Sequence, residues 1–189
     1  MNDNRIMTGN GNIAGDVSLS GNSEVHPNFS NSKIHIGWPD WEENVCDLCN
    51  RLEDRNFLFV YGVPRGGLTL ATQVSHKLGM PVVVDDPGYW MLDWYHWRLR
   101  QGIELKPESF NILVVDSICD TGKTLEYLKK EVSRTISSTK TPKKWDVTVA
   151  VIDVDPAAVK HVDEYISLKN PREWIVYPWE TGSKELSNL

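Results

Sequence analysis

No stretch of this sequence approaches the roughly 18 consecutive apolar residues that a membrane-spanning helix needs, and no charged-then-apolar leader opens it. Neither a membrane span nor a secretory leader is expected, and the expected compartment is the cytoplasm. Basic runs are also missing. With 20 Lys and Arg against 26 Asp and Glu the net charge is −6, which argues against a nucleic-acid or membrane-surface partner, since polyanions need a concentrated basic face. Cysteine is scarce: Cys46 and Cys49 form a Cys-x-x-Cys pair and only Cys119 remains. Half of a zinc site or a redox pair would use that spacing. Without a His-x-His partner, the simpler reading is two small buried or half-buried residues one helical turn apart. The five histidines, His26, His35, His76, His96 and His161, show no ligand spacing.

What is present begins late. Residues 1–32 are rich in Asn, Gly and Ser with almost no apolar periodicity, so they cannot bury enough surface to offset the entropy of ordering and are expected to be a disordered tail. Residues 33–189 are long enough for one globular domain. Trp38-Pro39-Asp40 looks like a helix start, with Val45, Leu48 and Leu52 as its apolar stripe.

Two strand, loop, helix units follow. In the second, the β-branched run Ile112–Val115 reads as a buried parallel strand that stops at Asp116. A helix starts near Thr124, because Leu125, Leu128, Val132 and Ile136 recur at helical spacing. The carboxyl end of such a strand faces the ligand crevice, and the helix start offers free N–H groups suited to a phosphate. Asp120, Thr121, Gly122, Lys123 and Thr124 form the candidate cradle. A P-loop would need glycine where Ser117 stands, and it would leave Asp116 and Asp120 idle beside a triphosphate. In the first unit, Phe57–Tyr61 is followed by Gly62-Val63-Pro64-Arg65-Gly66-Gly67 and a helix carrying Leu68, Ala71, Val74 and Leu78. Two glycines beside an arginine at a helix start make an anion nest. A third strand is expected over Val82–Val84, after a helix stop at Gly79.

The segment 111–125 resembles the signature of type I phosphoribosyltransferases, with Asp116, Asp120, Thr121, Gly122 and Thr124 in their places and Ser117 where the second acid of a pair is usual. Val63-Pro64-Arg65-Gly66-Gly67-Leu68 resembles the diphosphate loop of the same proteins, and Trp174-Ile175-Val176-Tyr177-Pro178-Trp179-Glu180 the tail of the xanthine, guanine and hypoxanthine members. The resemblance spans about residues 36–182. It implies an α/β fold, a Rossmann-like open and mostly parallel sheet flanked by helices, with a small C-terminal hood. The implied activity is magnesium-dependent transfer of a 5-phosphoribosyl group from phosphoribosyl diphosphate to a nucleobase, a purine by this likeness, in nucleotide salvage.

The implied roles follow the motifs. Thr121, Gly122, Lys123 and Thr124 would hold the 5-phosphate, and Arg65, Gly66 and Gly67 the diphosphate. Asp116, beside Ser117, would bind ribose hydroxyls directly or through magnesium, and Asp120 would serve as general base. Trp174 would stack on the base and the carbonyls beside Ile175 would accept from it, whereas Trp179 is read as packing. The purine members place a lysine just after the strand that here runs Val147–Ile152, where it meets the purine oxo group. This chain has Asp153-Val154-Asp155-Pro156 instead, with Asp155 in the lysine's place. Either another group replaces that contact or the base differs.

The aromatic segment 89–97, with Tyr89, Trp90, Trp94, Tyr95 and Trp97, is open between a lid and a packing or dimer contact. Family members are often dimers, which makes a homodimer an expectation. The second functional reading is a regulatory protein that binds phosphoribosyl diphosphate or a nucleotide without turnover.

Overall fold

The computed structural model describes residues 32–84, 100, 109–138 and 144–180. The bulk of the expected disordered tail, the aromatic segment 89–97 and most of the loop at 140–144 lie outside the described residues.

The chain order is β1 (Lys33–His35), α1 (Trp38–Leu52), β2 (Phe57–Gly62), α2 (Gly66–Leu78), β3 (Val82–Val83), β4 (Ser109–Cys119), α3 (Lys123–Ser138), β5 (Lys144–Val154), a 3-10 turn (Pro156–His161), β6 (Glu164–Leu168), β7 (Trp174–Val176) and a final 3-10 turn (Pro178–Glu180). Five strands form one parallel sheet in the order β3-β2-β4-β5-β6. Both faces of that sheet are covered, which explains why its strands read as continuous apolar runs rather than alternating ones. The pleat divides them. Val60, Leu113, Val115, Ala150 and Ile152 join Trp41, Val45, Leu48 and Leu52 of α1 and Leu70, Ala71 and Val74 of α2. Phe59, Ile112, Val114, Val149 and Val151 join Leu125 and Val132 of α3 on the opposite face.

Local chemistry accounts for the ends of the helices. Pro39 lies in the first turn of α1, and the Asp40 carboxylate accepts from the Gly37 N–H at 3.4 Å. Gly79 closes α2 in the left-handed region, at φ 66°. Cys49 is buried on α1, while half-buried Cys46 accepts from Lys77 Nζ at 3.1 Å. No helix among the described residues is long and apolar enough to cross a membrane.

Two expectations need correction. β4 does not stop at Asp116 but runs on to Cys119, because β5 continues beside it and supplies partners as far as Cys119↔Val154. A polar side chain does not end a strand whose backbone is still paired. The hood, expected from the C-terminal segment alone, is a parallel pair of β1 with β7, registered Lys33↔Trp174, Ile34↔Ile175 and His35↔Val176. Ser32, counted in the tail, accepts from the Trp174 N–H at 3.1 Å.

Candidate active site at the carboxyl ends of the strands

β2 and β4 are neighbours, so the loops that follow them open side by side. The turn after β2 is fixed by the Val63 N–H donating to the Val115 carbonyl at 2.9 Å and the Gly67 N–H donating to the Val63 carbonyl at 2.9 Å. The Pro64–Arg65 peptide between them is cis. α2 begins so close to β4 that a Cβ on Gly67 would lie 2.4 Å from the Val115 carbonyl oxygen, and one on Gly66 would lie 2.5 Å from Ser117 Oγ. Only glycine allows this approach. Arg65 is exposed at the helix start.

Asp116 and Ser117 sit at the point of contact. The Ser117 N–H donates to Asp116 Oδ1 at 2.7 Å. Desolvation pushes the Asp116 carboxyl up to about 7, opposed by its hydrogen bonds with Ser117 and with the N–H groups of Gly67 and Ile118. Ser117 is buried against Gly66, so it does not present an outward oxygen as the second acid of a pair would. Beyond Cys119 the turn is short. Asp120, Thr121, Lys123 and Thr124 are exposed and Gly122 is buried at φ 73°. The Lys123 N–H donates to Thr121 Oγ1 at 3.4 Å, and the Glu126 N–H donates to the Gly122 carbonyl at 2.9 Å to open α3. The imidazole of His161 lies over Gly122: a Cβ there would be 2.2 Å from its ring.

The ends of the next two strands complete the site. The Asp155 N–H donates to the Cys119 carbonyl at 2.9 Å, and the Lys169 N–H to the Val154 carbonyl at 3.0 Å. These bonds hold the residues after β4, β5 and β6 in one row. Asp155 does not face the crevice as a ligand. Its carboxylate accepts from the Ala157 N–H at 2.9 Å and caps the 3-10 turn. Lys169 instead forms an ion pair with Asp120. Its side chain is only 10% exposed, against 49% for Asp120.

A buried polar network ties the hood to this row. The Tyr177 hydroxyl is 2.9 Å from the Ser117 carbonyl and 2.7 Å from Asp153 Oδ2, and the Ser167 hydroxyl donates to Asp153 Oδ1. One phenolic proton cannot serve two acceptors. Both contacts are satisfied when Asp153 is protonated and donates to the tyrosine oxygen, which in turn donates to Ser117. Desolvation pushes the Asp153 carboxyl up, against the opposing pull of Ser167, Tyr177 and Lys169. The Tyr177 hydroxyl is likewise pushed up, first by desolvation and then by Asp153.

Parallel strands with an anion nest after one, an acid-glycine-threonine turn after its neighbour and a hood above them match solved structures. The purine phosphoribosyltransferase from Pyrococcus horikoshii superposes with a TM-score of 0.57 at 25% identity, covering 79% of this chain and 94% of that one. The chain has the type I phosphoribosyltransferase fold. The xanthine-guanine-hypoxanthine phosphoribosyltransferase of Helicobacter pylori matches with a TM-score of 0.56 at 22% identity, over 77% of this chain and 92% of that one. In sequence, the xanthine-guanine phosphoribosyltransferase of Cereibacter sphaeroides is 27% identical over 160 residues, 78% of this chain and 86% of the relative. That of Idiomarina loihiensis is 26% identical over 156 residues, 80% and 89%. No family model matches the chain.

Within this phosphoribosyltransferase fold, Arg65, Gly66, Gly67, Asp116, Ser117 and Asp120–Thr124 lie at the adjacent carboxyl ends of β2 and β4. Trp174 and Ile175 are on β7 of the hood, which reaches the strand ends through Tyr177. Trp174 is 62% exposed and Ile175 packs on the core. Trp179 is packing, as read from sequence: its ring stacks on Tyr177 at 5.0 Å and meets Trp41 edge-on at 4.6 Å. Lys169, Asp153 and Tyr177 were not singled out by sequence. For Lys169 the only local signal is a cation one residue past a strand and two before Pro171.

Proposed function

We propose that this protein is an enzyme transferring a 5-phosphoribosyl group from phosphoribosyl diphosphate to a nitrogen of a purine base, releasing diphosphate. Its named relatives are xanthine-guanine phosphoribosyltransferases, which supports the reaction class. One observation carries the reading to this site. The N–H of Gly67 faces the Asp116 carboxylate, so the loop suited to a diphosphate and the acid suited to a ribose are one unit, next to the Asp120–Thr124 turn.

In the reaction the C1–O bond to diphosphate breaks, the sugar takes on oxocarbenium character, and the base nitrogen bonds to C1 from the other side. Arg65 and the turn at Gly66 and Gly67, whose missing side chains leave room beside the Gly66 N–H, hold the leaving diphosphate, whose charge grows as the bond breaks. Thr121, Gly122, Lys123 and Thr124 hold the 5-phosphate at the start of α3. Asp116 accepts from ribose hydroxyls, and Asp120 takes the proton that the base nitrogen gives up. Holding both phosphates fixes the sugar between leaving group and acceptor, which supplies much of the rate enhancement.

Magnesium fits as a companion of the diphosphate. No group of three or more His, Cys, Asp or Glu among the described residues could hold a metal ion by protein ligands alone. Asp116 would give it one hard oxygen and the substrate the rest, the usual arrangement for this ion, which would neutralise charge on the leaving group. The regulatory alternative is not favoured, because the named relatives are transferases.

The test is diphosphate release from phosphoribosyl diphosphate and magnesium with a panel of bases, with Asp120→Asn beside the natural protein. Turnover by the natural protein should fall at least about 100-fold in Asp120→Asn, with binding of phosphoribosyl diphosphate unchanged within about twofold. Binding and turnover lost together would remove Asp120 from the role of base.

A further inference from the structure

We propose that Tyr177 is a positioning residue for the transfer: its hydroxyl, bonded to the Ser117 carbonyl, fixes the ribose-binding end of β4 against the hood, so that sugar and base are held in one register. This rests on the transferase reading above and adds the device that joins the two halves of its site.

The halves come from distant parts of the chain. Asp116 and Ser117 are on β4, whereas Trp174 and Ile175, the residues on the base side, are on β7. Among the described residues β7 pairs with β1 in a sheet of its own, so no strand ladder joins the hood to the five-stranded sheet. Tyr177 follows β7 directly and crosses that gap. Its side chain is buried, and its ring is seated on Trp179 at 5.0 Å and edge-on against Trp41 at 5.6 Å, which fixes where the hydroxyl points. The hydroxyl reaches the Ser117 carbonyl at 2.9 Å. The pairing of β2 with β4 ends at Gly62↔Val115, two residues earlier, so the tyrosine takes hold where β2 no longer does.

One residue carries the effect to the sugar. The Ser117 N–H donates to Asp116 Oδ1 at 2.7 Å, and the Ser117 side chain is buried against Gly66 of the turn after β2. A shift of Ser117 therefore moves the acid assigned to the ribose and the floor of the diphosphate turn together. Asp153 supports the bond from behind. With a proton on its carboxyl it donates to the Tyr177 oxygen at 2.7 Å, which leaves the single phenolic proton for Ser117. A phenylalanine would fill the same ring space, so what the hydroxyl adds is its hold on Ser117. Misplacement by about 1 Å can cost roughly 100-fold in rate, so one directional bond at this point matters.

The test uses the full-length protein and ligands that need no turnover. Ribose 5-phosphate meets the 5-phosphate turn and the ribose acid alone, whereas guanosine 5′-monophosphate also places a base under the hood, guanine being named for the relatives. Both are titrated by calorimetry into the natural protein, Tyr177→Phe and Asp153→Asn. The natural protein should favour the nucleotide, and Tyr177→Phe should cut that advantage roughly 10-fold or more, with ribose 5-phosphate within about threefold. Asp153→Asn, whose amide still donates to the tyrosine oxygen, should keep the advantage within about threefold. An advantage that survives in Tyr177→Phe, is lost equally in Asp153→Asn, or is absent from the natural protein overturns the proposal. Hydrogen exchange on the natural protein needs no variant. Ribose 5-phosphate, which has no base to touch the hood, should slow exchange of the β7 amides as well as those of residues 116–118, and slowing confined to β4 also overturns the proposal. If the natural protein releases diphosphate with a base while the advantage survives in Tyr177→Phe, this proposal fails and the transferase stands. If the advantage falls as expected but no base supports release, Tyr177 keeps its role and the transferase reading fails.

Discussion

The Tyr177, Asp153 and Ser117 network makes a prediction that depends on where one proton sits. The Tyr177 oxygen is 2.9 Å from the Ser117 carbonyl and 2.7 Å from Asp153 Oδ2, and both contacts are full hydrogen bonds only if a proton lies on Asp153, the direction in which desolvation pushes its carboxyl. An asparagine amide can donate to the tyrosine oxygen as the protonated acid does, and its carbonyl can accept from Ser167. Asp153→Asn should therefore change stability at pH 7 by less than about 1 kcal/mol. Tyr177→Phe keeps the ring between Trp41 at 5.6 Å and Trp179 at 5.0 Å but removes the donor from a buried carbonyl. It should cost about 1–3 kcal/mol. Urea unfolding at several pH values reads both. The sign of the pH dependence is fixed: a carboxyl raised in the folded state keeps its stabilising proton below the unfolded value, and that stability is lost as pH rises through the folded value. Asp153→Asn lacks this loss, so it should gain on the natural protein as pH rises above the ordinary carboxylate range. A variant that instead costs about 2 kcal/mol or more, and falls further behind as pH rises, would show that Asp153 is ionised.

The remaining predictions concern the loops. Gly67→Ala should prevent a stable fold or cost more than about 3 kcal/mol, since the clash is with the backbone carbonyl of Val115 at 2.4 Å; soluble protein with ordinary circular dichroism and a cost under about 1 kcal/mol would refute the close approach. Gly122→Ala combines a φ of 73° with the His161 ring at 2.2 Å. Adding His161→Gly, which removes the ring and also the Cβ at 2.9 Å, should recover the steric part and leave about 1 kcal/mol of backbone strain, as a double-mutant cycle in urea would measure. Because desolvation raises the Asp116 carboxyl to about 7, the ligand-free protein should lose stability as pH rises from about 4 to about 7, by up to about 4 kcal/mol, and Asp116→Asn should flatten that slope in a thermal-shift series.

Most of the sheet was legible because burial on both faces writes a parallel strand as an unbroken apolar run, as in Ile112–Val115 and Val149–Ile152. The turns after β2 and β4 were legible because their glycines answer to backbone geometry, and the motif order carried the resemblance. Lys169 was not, because its meaning comes from register alone. Only the pairing Val154↔Leu168 places the residue after β6 beside the turn after β4. β1 escaped for another reason: three exposed residues carry no period. Asp155 shows the opposite error, since alignment by position gave it a place in the site while an ordinary helix-capping preference turned its side chain away.

The pairing of β1 with β7 has a bearing on how the molecule is made. The partners flank the whole five-stranded sheet in sequence, so they can meet only after everything between them has emerged from the ribosome. The central strands, whose neighbours come sooner, can pair first, and the closing of so long a loop comes last. A nascent chain would thus have its glycine turns after β2 and β4 before it has the strand pair of the hood, and synthesis halted before Trp174 would leave the sheet without that cover.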